Sequence, residues 1–139
     1  MTHSNIFRTA SGKLVPVLVL LSLVVLYRGH NNPGGGFIGG LLASSAYILY
    51  AMAHGAKAAR RKLKLTPHGL MASGLSVILI STLWGIVAGK SALTGLWVDI
   101  DPPLLPAIHL GTPMLFDFGV YLTVIGVLLL IMFSIMEEK

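Results

Sequence analysis

The chain has 139 residues, of which 55% are hydrophobic and only 11% are charged, and its mean hydropathy is +0.83. In a soluble domain about a quarter of the residues are usually charged, so this composition excludes an ordinary soluble enzyme. It also excludes disorder and a collagen-like fibre. We interpret the chain as an all-α integral membrane protein. The length predicts one membrane domain over 1–139, with little room for a soluble domain beside it.

Two further features of the composition narrow the chemistry. The chain contains no cysteine, which excludes disulfides, thiolate metal sites and cysteine nucleophiles within it. The net charge is +5 and the isoelectric point is near 9.8. A basic protein of this kind can bind nucleic acid or an anionic membrane surface. The positions of the basic residues along the chain have to distinguish these two partners.

Four apolar stretches predict four transmembrane helices, since about twenty residues cross a bilayer as a helix. The predicted spans are approximately 12–28, 36–54, 68–89 and 114–136. The first rests on the shortest apolar run, 14–27, which is also the length of a signal-peptide core. No small-x-small cleavage site follows this run, so we expect an uncleaved span.

The basic residues fall mostly on one side of this four-span arrangement. Eight of the ten Lys and Arg residues lie in the N-terminal segment, in the loop 55–67 or at the C-terminus, and the other two are Arg28 and Lys90. The positive-inside rule therefore predicts that both termini are cytoplasmic and that the loop 90–113 is on the outside. The basic run 57–64 is expected to contact membrane lipids. We expect no nucleic acid as a partner, because no aromatic residues interleave with the run.

Three of the predicted spans carry faces of small residues at helical spacing, which let membrane helices approach closely. The second span has Gly36, Gly40, Ala43, Tyr47 and His54 on one face, the third has Gly74, Ser81, Gly85 and Ala88, and the fourth has Gly119, Thr123 and Gly126. Asp117 and Tyr121 lie on a different face of the fourth span. Because four short helices leave many such faces to cover, we expect partner subunits. The alternative is a self-contained four-helix bundle.

The sharpest local feature is the segment between the first two spans, GHNNPGGGFIGG at 29–40. It contains the spacing of a dinucleotide-binding fingerprint, but a membrane helix precedes it instead of a strand, and the required acidic residue is missing. Asn-Pro stops a helix and the glycines permit a tight reversal, so we interpret the segment as a tight outer turn that leads into a packing face. The bare N–H groups at the start of the second span leave anion binding as the alternative.

Asp117 is the only carboxylate within a predicted span, which makes it a candidate for ion transport. It lies near the outer end of its helix, where a carboxylate that complements the helix dipole is an equally good interpretation. The histidines are scattered near the membrane edges, and His30 and His54 are candidates for proton relay. Their spacing does not fit a metal site, and we expect neither a resident metal nor a cofactor.

Two motifs resemble those of a known family. GHNNPGGGFIGG at 29–40 and PMLFDFGVYL at 113–122 are similar to the signatures of the B subunit of Mrp-type (also Mnh or Pha) multisubunit cation/proton antiporters. The length, the four spans and the basic loop agree, so the resemblance covers essentially the whole chain. It implies a non-catalytic subunit of a bacterial or archaeal cytoplasmic-membrane complex that exchanges Na⁺ for H⁺. In that family, large subunits related to respiratory complex I carry the proton path.

The same resemblance implies roles for individual residues. It assigns to the turn, or to contact with a neighbouring subunit, Asn32, Pro33, Gly34, Gly35, Gly36, Phe37, Gly39, Gly40 and Gly119. Asp117 and Tyr121 fall in the second motif, and we expect them, with His30 and His54, to be candidates for the cation path.

Two other classes of protein stay open at this point. A small self-sufficient proton-coupled exporter of four helices needs a carboxylate deep in its first span, and the run 14–27 has none, so this class is disfavoured. A purely structural membrane scaffold, including one from a membrane-bound hydrogenase-type complex, uses the same glycine faces. The sequence barely separates such a scaffold from an antiporter subunit, and no set of residues indicates an enzyme.

Overall fold

The computed structural model describes residues 2–29, 35–91, 95–104 and 108–138. In chain order the elements are α1 (Thr2–Arg28), α2 (Gly35–His54), α3 (Ala56–Leu63), α4 (Pro67–Val87), β1 (Trp97–Ile100), β2 (Ile108–Gly111) and α5 (Thr112–Glu137). Four of these helices, α1, α2, α4 and α5, are long and apolar enough to cross a membrane. The predicted helical membrane fold with four spans is confirmed.

Helices extend further along the chain than the apolar runs indicate. α1 begins at Thr2, well before the predicted start, because the polar N-terminal segment continues the same helix. The loop predicted over 55–67 contains the short helix α3. Gly55, with φ of +92°, turns the chain between α2 and α3, and Lys64 in a left-handed conformation ends α3. Thr66 then caps α4, since its side-chain oxygen accepts a hydrogen bond from the amide of Gly69 at 3.1 Å.

The segment predicted as the outer loop 90–113 holds a short antiparallel hairpin, which the sequence analysis did not predict. Strands β1 and β2 pair in a register that places Trp97 opposite Gly111 and Asp99 opposite His109. Gly111 allows this pairing, because a Cβ at that position would lie 2.7 Å from Cε3 of Trp97. The hairpin leads directly into α5, whose first residue is Thr112.

The four long helices pack in a row, in the order α1–α2–α5–α4. α2 and α5 form the centre and run parallel, because Gly36 lies at Asp117 and Gly40 lies at Val124. α1 and α4 flank this pair and are each antiparallel to the neighbouring helix. α1 touches α5 only slightly, so a gap is left between these two helices on one side of the row.

Within the described residues, the faces of small residues on α4 and α5 cover each other. Gly74 packs against Gly119 and Thr123, and Gly126 packs against Met71 and the carbonyl of Pro67. Helices of the same chain therefore cover Gly74, Gly119 and Gly126, and these glycines give no argument for partner subunits. Partner subunits have to be argued from other observations.

One end of the row collects the N-terminal part of α1, helix α3 and the C-terminal end of α5. Nε of Arg8 donates to the carbonyl of Ala53 at 3.0 Å, and Nε of Arg60 lies 2.8 Å from Oε1 of Glu137. We call this the basic end, and the other end, where α2 and α5 begin, the opposite end. The structure thus places the start of α1 and the end of α5 at the same end as the basic helix α3.

Candidate functional site

The two motifs singled out from the sequence meet where α2 packs on α5, near the opposite end. Gly36 lies against the main chain of Asp117, so closely that any side chain there would collide with it. One turn further, a Cβ on Gly40 would lie 2.8 Å from Cβ of Val124. The glycines of the first motif therefore let the main chain of the second motif approach α2.

Tyr121 joins three helices at the centre of this contact. Its side chain is only 7% exposed, and its hydroxyl lies 3.0 Å from Oγ of the fully buried Ser22 on α1. Its ring packs beside Gly39 of α2, where a Cβ would come within 3.3 Å of Cδ2 of the ring. The sequence analysis did not identify Ser22 as a partner of Tyr121. A polar residue inside the apolar run 14–27 could have indicated such a contact between helices.

Asp117 is the sixth residue of α5, between one and two turns from the start of the helix. Its side chain is half-buried, and its Oδ2 oxygen is shielded from solvent. Asp117 and Tyr121 are four positions apart in the sequence and so share a face of α5. This face contacts α2, whereas the face with Gly119 contacts α4. The expected separation of the two faces is confirmed.

Two glycines of the motif at 29–40 approach each other closely. Gly29 directly follows α1, and Gly35 is the first residue of α2. Gly29 and Gly35 lie so close that a Cβ on either residue would collide with the main chain of the other. The candidate glycines of this motif that the structure describes, Gly35, Gly36, Gly39 and Gly40, are buried. Phe37, the other described candidate of the motif, is 52% exposed. Four predicted residues lie outside the described residues: His30, Asn32, Pro33 and Gly34.

His54 lies at the basic end and is not brought to Asp117. Its position is about 27 Å from Gly36 along α2, at 1.5 Å per residue. The ring of His54 stacks on that of Tyr50 with centroids 4.2 Å apart, and Nδ1 is 3.3 Å from the carbonyl oxygen of Tyr50. Nζ of Lys62 lies 4.3 Å from the centroid of the same tyrosine ring. The candidate ion-path residues thus occupy two separate places.

Helix α3 is docked onto the basic end by one buried and one paired residue. Ala59 is fully buried, and the guanidinium of Arg60 lies 4.9 Å from the ring centroid of Phe133 while it pairs with Glu137. The other basic residues of this segment are exposed: Lys57, Arg61, Lys62 and Lys64. These four side chains are therefore not buried by the docking of α3.

The described part of the chain brings no three His, Asp or Glu side chains together in a way that could hold a metal ion. Of the described candidate residues, Asp117 is a single carboxylate, and His54 stacks on Tyr50 at the basic end. These described residues therefore do not form a site with several ionisable ligands.

A family model described as a domain related to the MnhB subunit of the Na⁺/H⁺ antiporter matches residues 6–130. The chain belongs to the MnhB family. It is 37% identical over 134 residues to the putative antiporter subunit mnhB2 of Staphylococcus haemolyticus (strain JCSC1435), and the alignment covers 96% of this chain and 95% of that protein. It is 33% identical over 138 residues to the B subunit of the Na⁺/H⁺ antiporter of Bacillus subtilis (strain 168), with 99% and 96% covered.

The same fold occurs in a solved structure, that of the Mrp complex from Dietzia sp. DQ12-45-1b. The TM-score is 0.76 and the sequence identity is 36%, and the match covers 92% of this chain and 13% of that chain. The MnhB-type fold therefore spans about an eighth of that much longer polypeptide, whereas it makes up nearly all of the two relatives above. With its four apolar helices and these antiporter-subunit relatives, this MnhB family member is a multi-pass membrane protein.

Proposed function

We propose that this chain is a non-catalytic membrane subunit of a multisubunit Na⁺/H⁺ antiporter, needed for assembly, and that Asp117 lies beside the cation path. The observation that carries the subunit role is the end-to-end similarity to the B subunit of the Bacillus subtilis antiporter, which covers 99% of this chain. Its partners are then the other antiporter subunits, including large subunits related to those of respiratory complex I. Its location is the cytoplasmic membrane of a bacterium or archaeon.

The proposal for Asp117 rests on its position in the helices. No Asp or Glu precedes Asp99 in the chain, and Asp117 is the only carboxylate in the interior of α5. An ionisable side chain within a membrane span is costly, and such residues usually mark ion pathways. One carboxylate is too few to exchange two kinds of ion, so most of the exchange chemistry belongs to other subunits. Tyr121 has a buried hydroxyl bonded to Ser22, and we assign it to holding α5 in place.

The test compares Asp117→Asn with Asp101→Asn, which makes the same chemical change at an exposed carboxylate outside the helices. Both variants are expressed with the remaining subunits and purified through a tag on this chain, and Na⁺-driven proton movement is measured in membrane vesicles. We expect Asp117→Asn to lower antiport several-fold while the same subunits co-purify, and Asp101→Asn to behave like the unaltered protein. Normal antiport in Asp117→Asn would reject the ion contact, and a chain that purifies alone would reject the subunit role.

A purely structural scaffold subunit is the second candidate function. It is favoured by the separation of Asp117 from His54 and by the number of close main-chain contacts that glycines make here. Normal ion exchange after Asp117→Asn, Tyr121→Phe and His54→Gln, each made singly, would support the scaffold. The self-sufficient exporter is disfavoured, because α1 contains no carboxylate.

We further propose that the basic end faces the cytoplasm and that the exposed cations of the segment 57–64 contact anionic lipid head groups. The bias of Lys and Arg toward this end supports the orientation. The docking of α3 by Ala59 and Arg60 supports the lipid contact, because it leaves the other basic side chains of this helix exposed.

A further inference from the structure

Two side chains that can carry a positive charge contact the same tyrosine ring at the basic end. The imidazole of His54 stacks on the ring of Tyr50, with centroids 4.2 Å apart and ring planes 14° from parallel. The ammonium group of Lys62 lies 4.3 Å from the centroid of the same ring. His54 and Tyr50 belong to α2 and Lys62 belongs to α3, so this ring is part of the contact between the two helices.

His54 is held more firmly in this arrangement than Lys62. Its side chain is half-buried, and Nδ1 lies 3.3 Å from the carbonyl oxygen of Tyr50, one turn earlier in the same helix. An imidazole that donates from Nδ1 to this carbonyl can take up a proton at Nε2 without breaking the stack. Lys62 is exposed and reaches the ring through a flexible four-carbon stem.

A proton on His54 acts against the contact of Lys62 in two ways. Because both groups contact one ring, Nζ of Lys62 is no further from the imidazole centroid than the 4.2 Å and 4.3 Å distances combined, a range in which like charges repel. The stacked imidazolium also takes over the attraction of the tyrosine ring for a cation. Of the two cations, the flexible and exposed Lys62 is the one that can leave.

The charged groups that the neighbouring elements carry at this end are mostly cationic. Besides Lys62 they are Arg8 and Lys13 on α1, Lys57, Arg60 and Arg61 on α3, and Glu137 and Glu138 on α5. Arg8 donates from Nε to the carbonyl of Ala53 at 3.0 Å, and Glu137 is paired with Arg60 at 2.8 Å. A proton on His54 therefore adds positive charge to a region that is already cationic.

We propose that His54 makes the docking of α3 dependent on pH. With neutral His54, Lys62 contacts Tyr50 and adds to the docking by Ala59 and Arg60. With protonated His54, Lys62 leaves the ring and the last turn of α3 loosens. Histidine is the side chain whose ordinary titration lies near neutral pH, which suits it to such a change. Helix α3 is thereby held more tightly at alkaline pH than at acidic pH.

The experiment is hydrogen–deuterium exchange of the complex, purified in detergent through a tag on this chain. It is run at about pH 8 and about pH 5.5, on either side of the range in which histidine gains a proton, with labelling times adjusted for the pH dependence of chemical exchange. We expect exchange in 56–63 to rise roughly two- to fivefold at the lower pH, the factor for losing one exposed cation–π contact. His54→Gln should remove this rise, whereas His68→Gln, at an exposed histidine of the same end, should retain it.

Two variants of α3 sharpen this test. Lys62→Gln removes the cation from the ring, so exchange in 56–63 should be raised already at the higher pH, with little further rise on acidification. Arg61→Gln, at the neighbouring exposed residue, should keep the pH dependence of the unaltered protein. Lys62→Gln alters only an exposed side chain, so it decides if His54→Gln impairs folding.

Three results would overturn the proposal. An equal rise in His54→Gln and in the unaltered protein would show that another group, such as the carboxylate of Glu137, causes the pH dependence. A full rise in Lys62→Gln would show that the contact with Tyr50 has no part in it. Exchange in 56–63 that is the same at both pH values would show that docking does not respond to His54. These outcomes are independent of whether Asp117 contacts the transported cation.

Discussion

Gly74 of α4 and Gly119 of α5 face each other across a close contact between the two helices. A Cβ on Gly74 would lie 2.7 Å from the carbonyl oxygen of Gly119, and a Cβ on Gly119 would lie 2.8 Å from the carbonyl oxygen of Gly74. Side chains of Thr123 and Ile78 also stand in the way, but the carbonyl and amide groups on each side are main chain and have no alternative rotamer. A single methyl group at either position therefore forces the two helices apart.

Replacing Gly74 with alanine should destabilise the helix pair by about 1–3 kcal/mol, the usual cost of overpacking a close contact. The measurement is the midpoint of thermal unfolding of the detergent-solubilised complex, followed by size-exclusion chromatography. Gly12→Ala is the matched control, because Gly12 lies in a helix with nothing within 4 Å of the position of its Cβ. Equal midpoints for the two variants would contradict the close approach of α4 and α5.

The glycine faces show what periodicity predicts and what it leaves open. Helical spacing placed Gly74 on one face and separated Asp117 from Gly119, and the structure agrees. Spacing does not say which helix covers a face, so the sequence favours partner subunits and leaves a self-contained four-helix bundle open. The row order α1–α2–α5–α4 depends on contacts between distant parts of the chain, such as Ser22 with Tyr121.

The two elements that the sequence analysis missed have different causes. Helix α3 is only eight residues long and polar, so it gives no apolar signal, although its alanine, lysine and arginine residues are good helix formers. The hairpin has only four residues in each strand and depends on the fit between Trp97 and Gly111. The family resemblance assigns the glycines of the first motif to the turn or to a neighbouring subunit, whereas in the structure Gly36 and Gly40 lie against α5 of the same chain.

Ser22 and Tyr121 should show a measurable energetic coupling. Ser22→Ala and Tyr121→Phe each remove one partner of the 3.0 Å contact, and the double variant removes both. We expect a coupling of about 0.6 kcal/mol, the average for hydrogen bonds between membrane helices. It stays small because Oγ of Ser22 also donates to the carbonyl of Val19 at 2.6 Å. The measurement is a double-mutant cycle on the thermal stability of the complex, and additive effects would show that the two hydroxyl groups act separately.

The pair of Arg60 and Glu137 should hold α3 at the basic end without adding much to global stability. Its side chains are 38% and 44% exposed, so solvent and salt screen the attraction, and removing it should cost less than about 1 kcal/mol. We expect Glu137→Gln to raise hydrogen–deuterium exchange in 56–63 while leaving the long helices unchanged. Glu138→Gln, at the adjacent exposed carboxylate, is the control. Unchanged exchange in Glu137→Gln would mean that Ala59 and the contact of Arg60 with Phe133 dock α3 without the ion pair.

The orientation of the chain can be measured directly because it contains no cysteine, so an introduced cysteine is its only thiol. Leu65→Cys marks the basic end and Leu104→Cys marks the hairpin, where Leu104 is 95% exposed. Both substitutions keep every Lys and Arg, which set the topology. In intact cells a membrane-impermeant maleimide should label this chain at position 104, and at position 65 only after permeabilisation. The reverse pattern would place the basic end outside, and the proposed cytoplasmic position of both termini would then be wrong.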